Sequence, residues 1–346
     1  MIRVLVVDDS AFSRVTISRM IQKDPELKVV ATATRGEEAI RLALAHRPDV
    51  VTLDLEMPGL DGFAVLRWLG ANMPLPAIVV SSRQGRDDVF RALDLGAVDF
   101  VLKPQAHASL EYERLESILI EKVRAVAASR LRRPPASPAA APAAAAAPIA
   151  APGGALVVVG ASTGGPAAIS ALFAALPPLG CPIVVAQHMP AGFTGLFAER
   201  LSRVAAFPVV EAHEGQRLHA GRAYVAPGGA HLDVAGDTVG MFARVAERAP
   251  RDLFSPSVDR LFRSAAGAAG AGALGIVLTG MGNDGREGVV AIRRAGGRTI
   301  AESEESAVVF GMPREAALSG AVDEVHPLSD IPAAVVRLLG SDPGSP

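Results

Sequence analysis

A single cysteine, Cys181, in 346 residues rules out an intrachain disulfide and any zinc site built from thiolates alone. Aromatic residues are scarce, at 4%, and neither charge is in surplus: 34 Lys and Arg stand against 36 Asp and Glu, for a formal net charge of −2. Without a basic face there is no electrostatic footprint for nucleic acid. No apolar run approaches the roughly 20 residues of a membrane-spanning helix. The opening MIRVLVVDDS also lacks the basic flank, long apolar stretch and small-residue cleavage site of a secretory signal. The expectation is a cytoplasmic protein with no nucleic-acid partner and no membrane insertion.

What the sequence has in quantity is short apolar runs, within a composition 50% hydrophobic and 20% charged. The length suits two domains better than one. Residues 134–154, PPASPAAAPAAAAAPIAAPGG, hold 11 Ala and 6 Pro and no charge. Alanine favours helix, but prolines at this density remove backbone donors and block the helical turn, which leaves an extended, semi-rigid spacer. The expected division is a first domain over residues 1–122, a helix end and Ala/Pro-rich linker over 123–153, and a second domain over 154–346.

In the first domain IRVLVV, KVVATA, DVVTLDL, AIVVSS and DFVLKP read as strands, with amphipathic stretches between them. This alternation predicts an α/β fold with a doubly wound parallel sheet, whose functional crevice lies at the carboxyl ends of the strands. Asp8 and Asp9 follow the first of these strands, Asp54 lies on the third and Lys103 ends the fifth. Acids converging on one edge repel unless a cation sits among them. Asp8, Asp9 and Asp54 are therefore a candidate Mg²⁺ site, and Lys103 a candidate partner for a phosphoryl group. Taken singly, each acid reads first as a turn residue or a helix cap. Together, VDDS, LDLEMPGLDG, VSS and LKP in this order resemble the response-regulator receiver domain. The resemblance implies that Asp54 is the phosphoacceptor for a histidine kinase and that Asp8 and Asp9 help to hold Mg²⁺. It implies, too, that Ser81 is the switch hydroxyl and Lys103 the lysine beside the phosphate. Phe100 takes the position of the aromatic switch residue, often tyrosine in that family.

After the spacer comes a second series: ALVVVG, CPIVVAQHMP, FPVVEA, GRAYVAPGG, GALGIVLTGMGNDG and GRTIAE. It predicts a second doubly wound parallel sheet, and no helix-turn-helix with a basic recognition helix is present. The first strand runs into VVVGASTGGP, a glycine-rich turn before a helix opened by Pro166. A dinucleotide site needs G-x-G-x-x-G here and an acid at the end of the next strand. The loop is instead G-x-x-x-G-G, and the next strand ends in Gln187 and His188. A nucleophile turn accounts for more. Ser162 comes after the first strand, His188 ends the second and Asp284 lies just past the apolar LGIVL. Parallel strands bring these ends to one edge, where a serine, a base and an orienting carboxylate make a nucleophilic site. His213 and His231 are rival bases, and each of the three residues alone also reads as a cap, loop or turn residue.

The motifs GASTGGP, AQHMP, YVAPGGAHL, SPSVDRLF and LTGMGNDG resemble the chemotaxis protein-glutamate methylesterases, in which a receiver precedes a catalytic domain. The resemblance covers nearly all of the chain outside the linker. It implies a triad of Ser162, His188 and Asp284, with the backbone N–H groups of Thr163 and Met281 as oxyanion donors. The implied reaction is hydrolysis of γ-glutamyl methyl esters, with deamidation of glutamine, on methyl-accepting chemoreceptors in sensory adaptation. Mg²⁺ would serve the receiver, and no cofactor the esterase. The receiver is expected to cover the active-site face until Asp54 is phosphorylated. The alternative is a binding module, in which a receiver is tethered to a degenerate hydrolase fold that only docks a partner.

Overall fold

The computed structural model describes residues 1–82, 85–103, 109–128, 149–249 and 251–340. Pro104 and the Ala/Pro spacer up to residue 148 lie outside the described residues. The chain forms two compact units, Met1–Arg133 and Pro134–Pro346. Among the described residues no helix is long and apolar enough to cross a membrane.

In the first unit β1 (Ile2–Val7), β2 (Leu27–Ala33), β3 (Val50–Leu53), β4 (Ala77–Ser81) and β5 (Asp99–Leu102) form one parallel sheet in the order β2-β1-β3-β4-β5. Helices α1 (Ala11–Gln22), α2 (Gly36–His46), α3 (Gly62–Asn72), α4 (Arg86–Asp94) and α5 (Ser109–Ala128) alternate with the strands. Every residue of β3 and β4 is buried, as expected of parallel strands covered on both faces, which read as unbroken apolar runs. α1 starts at Ser10, whose hydroxyl accepts the Ser13 N–H, and α3 at Asp61, whose carboxylate accepts the Ala64 N–H. α5 buries Leu115, Leu119, Val123 and Val126. That helical stripe carries it past residue 122. β3 stops at Leu53, so Asp54 is the first residue beyond the strand rather than part of it.

In the second unit β6 (Leu156–Ala161), β7 (Ile183–Gln187), β8 (Val209–Glu211), β9 (Ala223–Val225), β12 (Ala273–Val277), β13 (Arg298–Glu302) and β14 (Glu324–His326) form a parallel sheet, ordered β14-β13-β12-β6-β7-β9-β8. Its helices are α6 (Gly165–Ala175), α7 (Thr194–Val204), α8 (Val258–Ala269), α9 (Arg286–Arg294), α10 (Met312–Leu318) and α11 (Ile331–Gly340). The chain leaves β6 toward β7, β9 and β8 on one side and returns to β12, β13 and β14 on the other. The order therefore reverses between β6 and β12, and the crevice of this sheet lies at their carboxyl ends. The βα alternation does not foretell β10 (Ala230–Asp237) and β11 (Gly240–Glu247), an antiparallel hairpin outside the sheet. Asp237 shapes its turn by accepting the N–H groups of Val239 and Gly240. The hairpin buries Leu232, Val234 and Ala243 in a core shared with Leu261 and Phe262 of α8. The end of the spacer belongs to this unit, since the Ile149 N–H donates to Pro178 O and Ile149 O accepts from Gly180 N.

Candidate active site

Ser162 stands where the β-ladder ends. Ala161 of β6 pairs with Gln187 of β7, so Ser162 and His188 occupy the next position on adjacent strands. Backbone bonds continue past the strands: His188 N donates to Ala161 O at 3.1 Å and Ser162 N to Thr279 O at 3.0 Å. The turn after Ser162 is closed by Gly165 N donating to Ser162 O at 2.8 Å. Gly164, at φ 79°, precedes α6. This backbone conformation is cheap for glycine and strained for other residues. On the other side a Cβ at Gly280 would lie 2.9 Å from the Ser162 Cβ and 2.3 Å from Met312 Sδ. The glycine lets the β12 loop approach the serine this closely.

Asp284 Oδ2 lies 2.8 Å from His188 Nε2. The same carboxylate sits on the first turn of α8, taking the N–H of Val258 at 2.7 Å and of Asp259 at 2.8 Å, with the Ser257 hydroxyl at 3.1 Å. Burial works to raise the Asp284 pKa, but the His188 hydrogen bond and charge and the two backbone donors outweigh it and hold the carboxyl below its usual range. An ionised carboxylate only accepts, so the ring hydrogen of His188 sits on Nε2 and the lone pair on Nδ1. Nδ1 is buried and makes no hydrogen bond among the described residues, so the serine–histidine contact is not closed in this structure. The imidazole therefore presents the opposite nitrogen from the chymotrypsin arrangement, in which Nδ1 faces the aspartate.

The rival histidines are placed otherwise. His231, 2% exposed, has both ring nitrogens engaged: Nε2 with Asp252 Oδ2 at 2.8 Å, and Nδ1 accepting the Ser257 N–H at 3.3 Å. His213 is exposed, with Nδ1 3.2 Å from the carbonyl oxygen of Glu214. Thr163 is buried, and its carbonyl accepts the Thr279 hydroxyl at 2.9 Å. The Met281 N–H, one residue past Gly280, has no acceptor among the described residues.

Three further residues shape the site without having stood out in the sequence. The Gln187 side-chain amide donates to Ser162 O at 2.9 Å and His188 O at 3.2 Å, tying the two turns together. Thr279 reaches Ser162 and Thr163 on one side, and its N–H donates to buried Glu302 at 2.7 Å. The Phe254 ring stacks on the His188 imidazole, with centroids 4.4 Å apart and planes at 5°. Only Gln187 left a trace in the sequence, as a polar residue ending an apolar strand.

In the first unit the β1, β3 and β5 ends converge. Lys103 Nζ lies 2.5 Å from Asp54 Oδ2 and 2.8 Å from Asp8 Oδ2, the latter an ion pair without hydrogen-bond alignment. Burial pushes the Asp8 carboxyl up despite the lysine. Burial also works against the Lys103 charge, but its two carboxylates outweigh this and raise its pKa. Asp8, Asp9 and Asp54 each offer an oxygen within 4.8 Å of the others. An all-oxygen donor set, with one lysine for three acids, fits a hard divalent cation such as Mg²⁺. Ser81 is buried at the end of β4, its hydroxyl donating to Ser82 O at 3.3 Å, and Phe100 is buried on β5.

Comparison with known proteins agrees with both halves. Residues 157–335 match the CheB methylesterase family model, and residues 4–113 that of the response regulator receiver domain. The chain is 48% identical over 339 residues to protein-glutamate methylesterase/protein-glutamine glutaminase 1 of Myxococcus xanthus, covering 97% of each chain. It is also 48% identical to enzyme 6 of that name from Anaeromyxobacter dehalogenans, over 97% of this chain and 95% of the other. The crystal structure of the Thermotoga maritima CheB methylesterase catalytic domain superposes with a TM-score of 0.51 at 37% identity, over 53% of this chain and 98% of that one. Two sheets of the expected topology, and relatives that match from end to end, place the chain in the CheB methylesterase family, with a response-regulator receiver domain at its N-terminal end.

Proposed function

We propose that the second unit hydrolyses glutamate γ-methyl esters on methyl-accepting chemoreceptors and deamidates glutamines there, and that the receiver governs it through phosphorylation of Asp54. The observation that carries the reading is the Asp284–His188 pair at the sheet's switch point, with His188 Nδ1 unbonded among the described residues and Ser162 at the matching position on the adjacent strand. In this reading His188 Nδ1 takes the Ser162 proton as Oγ attacks the ester carbonyl, and Asp284 stabilises the resulting imidazolium. The oxyanion is held by the N–H groups of Met281 and Thr163. Collapse expels methoxide, which takes the proton from His188 and leaves as methanol. A water, deprotonated by His188, then opens the acyl-enzyme to release the glutamate carboxylate and restore Ser162. For glutamine, ammonia leaves in place of methanol. Apart from that water, each step uses side chains and backbone donors of this chain.

In the receiver, Asp8, Asp9 and Asp54 hold Mg²⁺, which supplies charge neutralisation for phosphoryl transfer from a histidine kinase. Asp54 accepts the phosphoryl group, Lys103 neutralises it, and Ser81 and Phe100 respond to it. A substrate and donor of this kind imply a cytoplasmic protein that serves sensory adaptation. The test is mass spectrometry of methylated receptor incubated with phosphorylated protein. Methyl loss with methanol release is expected from the wild type and none from Ser162→Ala. Full activity of purified Ser162→Ala would overturn the reading.

A further inference from the structure

Among the described residues the His188 ring is held by one hydrogen bond, from Nε2 to Asp284, and Nδ1 makes none. A single bond fixes a point on the ring but leaves the ring free to pivot about that bond. Pivoting would change where the Nδ1 lone pair points, and in the triad reading it must meet Ser162. What closes off this motion is the Phe254 ring, face to face with the imidazole at 4.4 Å and within 5° of parallel. Phe254 is itself anchored on both sides. Asp252 accepts the Ala249 N–H at 2.7 Å and pairs with buried His231 at 2.8 Å, while Ser255 O accepts the Gly229 N–H at 3.3 Å. His231 also accepts the Ser257 N–H, and the Ser257 hydroxyl returns to Asp284. The ring that stacks on His188 thus belongs to a strap tied at both ends to the structure that carries the catalytic carboxylate.

We propose that Phe254 is a positioning residue of the esterase: it acts through His188, fixing the plane of the imidazole so that Nδ1 is held ready for Ser162. This rests on the triad reading above. A flat aromatic face suits the role, because it resists rotation of the imidazole and also favours the imidazolium formed during reaction. An aliphatic side chain fills the space without defining a plane.

The experiment compares full-length wild type, Phe254→Leu, Phe254→Met and Phe254→Tyr, measuring kcat and KM for receptor methyl-ester hydrolysis and the proton NMR signal of the His188 Nε2–H. Misdirection of a reacting group costs on the order of 10- to 100-fold in rate. A fall of that size in kcat is expected for Phe254→Leu and Phe254→Met, with KM nearly constant and the Nε2–H signal broadened. Phe254→Tyr keeps the ring face and is expected to keep both kcat and the sharp signal. Wild-type kcat in the aliphatic variants would overturn the proposal. So would a rise confined to KM, or equal losses in Leu, Met and Tyr with the signal unchanged. Ser162→Ala run alongside separates the levels: activity there removes the triad reading, whereas an inactive Ser162→Ala beside normal Phe254 variants removes only the positioning role.

Discussion

Asp284 and Asp259 each cap the helix that the other precedes or begins. Asp284, just before α9, accepts the N–H groups of Val258 and Asp259 at the start of α8. Asp259, in the first turn of α8, accepts those of Gly285 at 2.9 Å and Gly288 at 2.7 Å at the start of α9. Carboxylates are favoured at helix N-termini, and this exchange locks the two helices to the loop that carries the proposed catalytic aspartate.

The two acids are not equivalent, and asparagine separates them. All four bonds to Asp284 use it as an acceptor and both its oxygens are occupied, so an amide nitrogen would face donors. Asp284→Asn is expected to lose on the order of 10³- to 10⁴-fold in kcat and to melt lower. Asp259 receives both helix donors on Oδ1 alone. Burial and, to a lesser degree, the Asp284 charge push its carboxyl up. Asp259→Asn keeps the acceptor and removes the repulsion, so it is expected to change stability by less than about 1 kcal/mol and to leave activity intact. Thermal melts and ester hydrolysis on the two variants check both statements, and equal damage from each would refute the distinction.

His231 and His188 should also part company. With both nitrogens of His231 already engaged, His231→Gln is expected to lower the melting temperature and reduce kcat by less than about tenfold. His188→Gln should cost more than about 10³-fold at unchanged stability. Combined with Ser162→Ala, His188→Gln should add almost nothing, since residues of one catalytic unit are not additive. Loss of function on replacing His231 with retention on replacing His188 would reverse the assignment.

Glu302 gives a pH signature. It is 0% exposed, accepts from Thr279 N and the Ser306 hydroxyl, and forms no ion pair among the described residues. Burial outweighs these donors and raises its pKa above the ordinary 4.5. A carboxyl raised on folding binds its proton more tightly in the native state. Its contribution to stability is therefore fully present below about pH 4.5 and declines as pH rises through the native value, by about 1.4 kcal/mol for each unit of displacement. Glu302→Gln can still accept from Thr279 and donates to Ser306, so its stability should lack this decline. Denaturant titrations at pH 5 and pH 8 are expected to show the variant gaining on the wild type as pH rises; a constant difference would rule this out.

The βα alternation, the functional edge at the carboxyl ends of the strands and the three residues beyond strand ends were legible in the sequence because parallel strands impose them. A short apolar run such as residues 156–161, followed at once by a glycine-rich turn, reads as a covered strand, and the residue after it lies on the common edge. The orientation of the His188 ring was not legible, because it depends on Asp284 descending onto α8 from a loop nearly a hundred residues away. Nor was Phe254, which meets His188 across 66 positions of sequence, a separation that leaves no periodic trace. The β10–β11 hairpin escaped because its strands alternate with polar residues inside a chain otherwise read as βα units. Asp8, Asp54 and Lys103 were found together because one sheet edge collects them.

Control of the esterase by the receiver can be tested on the same footing. Lys103 already spans Asp8 and Asp54, so phosphorylation of Asp54 replaces a shared carboxylate by a dianion and redistributes that lysine's bonds. The Ser81 hydroxyl, the proposed switch group, now donates to Ser82 O. If the receiver restrains the esterase before phosphorylation, four proteins will differ on methylated receptor. Unphosphorylated full-length protein should be slow, and phosphodonor with Mg²⁺ should raise its rate. Asp54→Asn should stay at the basal rate under the same conditions. A fragment from residue 149, which keeps the Ile149 pairing and the complete second sheet, should be active without phosphodonor and indifferent to it. The Ala/Pro spacer offers little apolar surface for a stable docked state, so changing its length by a few residues should alter the basal rate only modestly. Equal rates in all four proteins would mean that the receiver does not gate catalysis, and its role would then have to be sought in recruitment to the receptor.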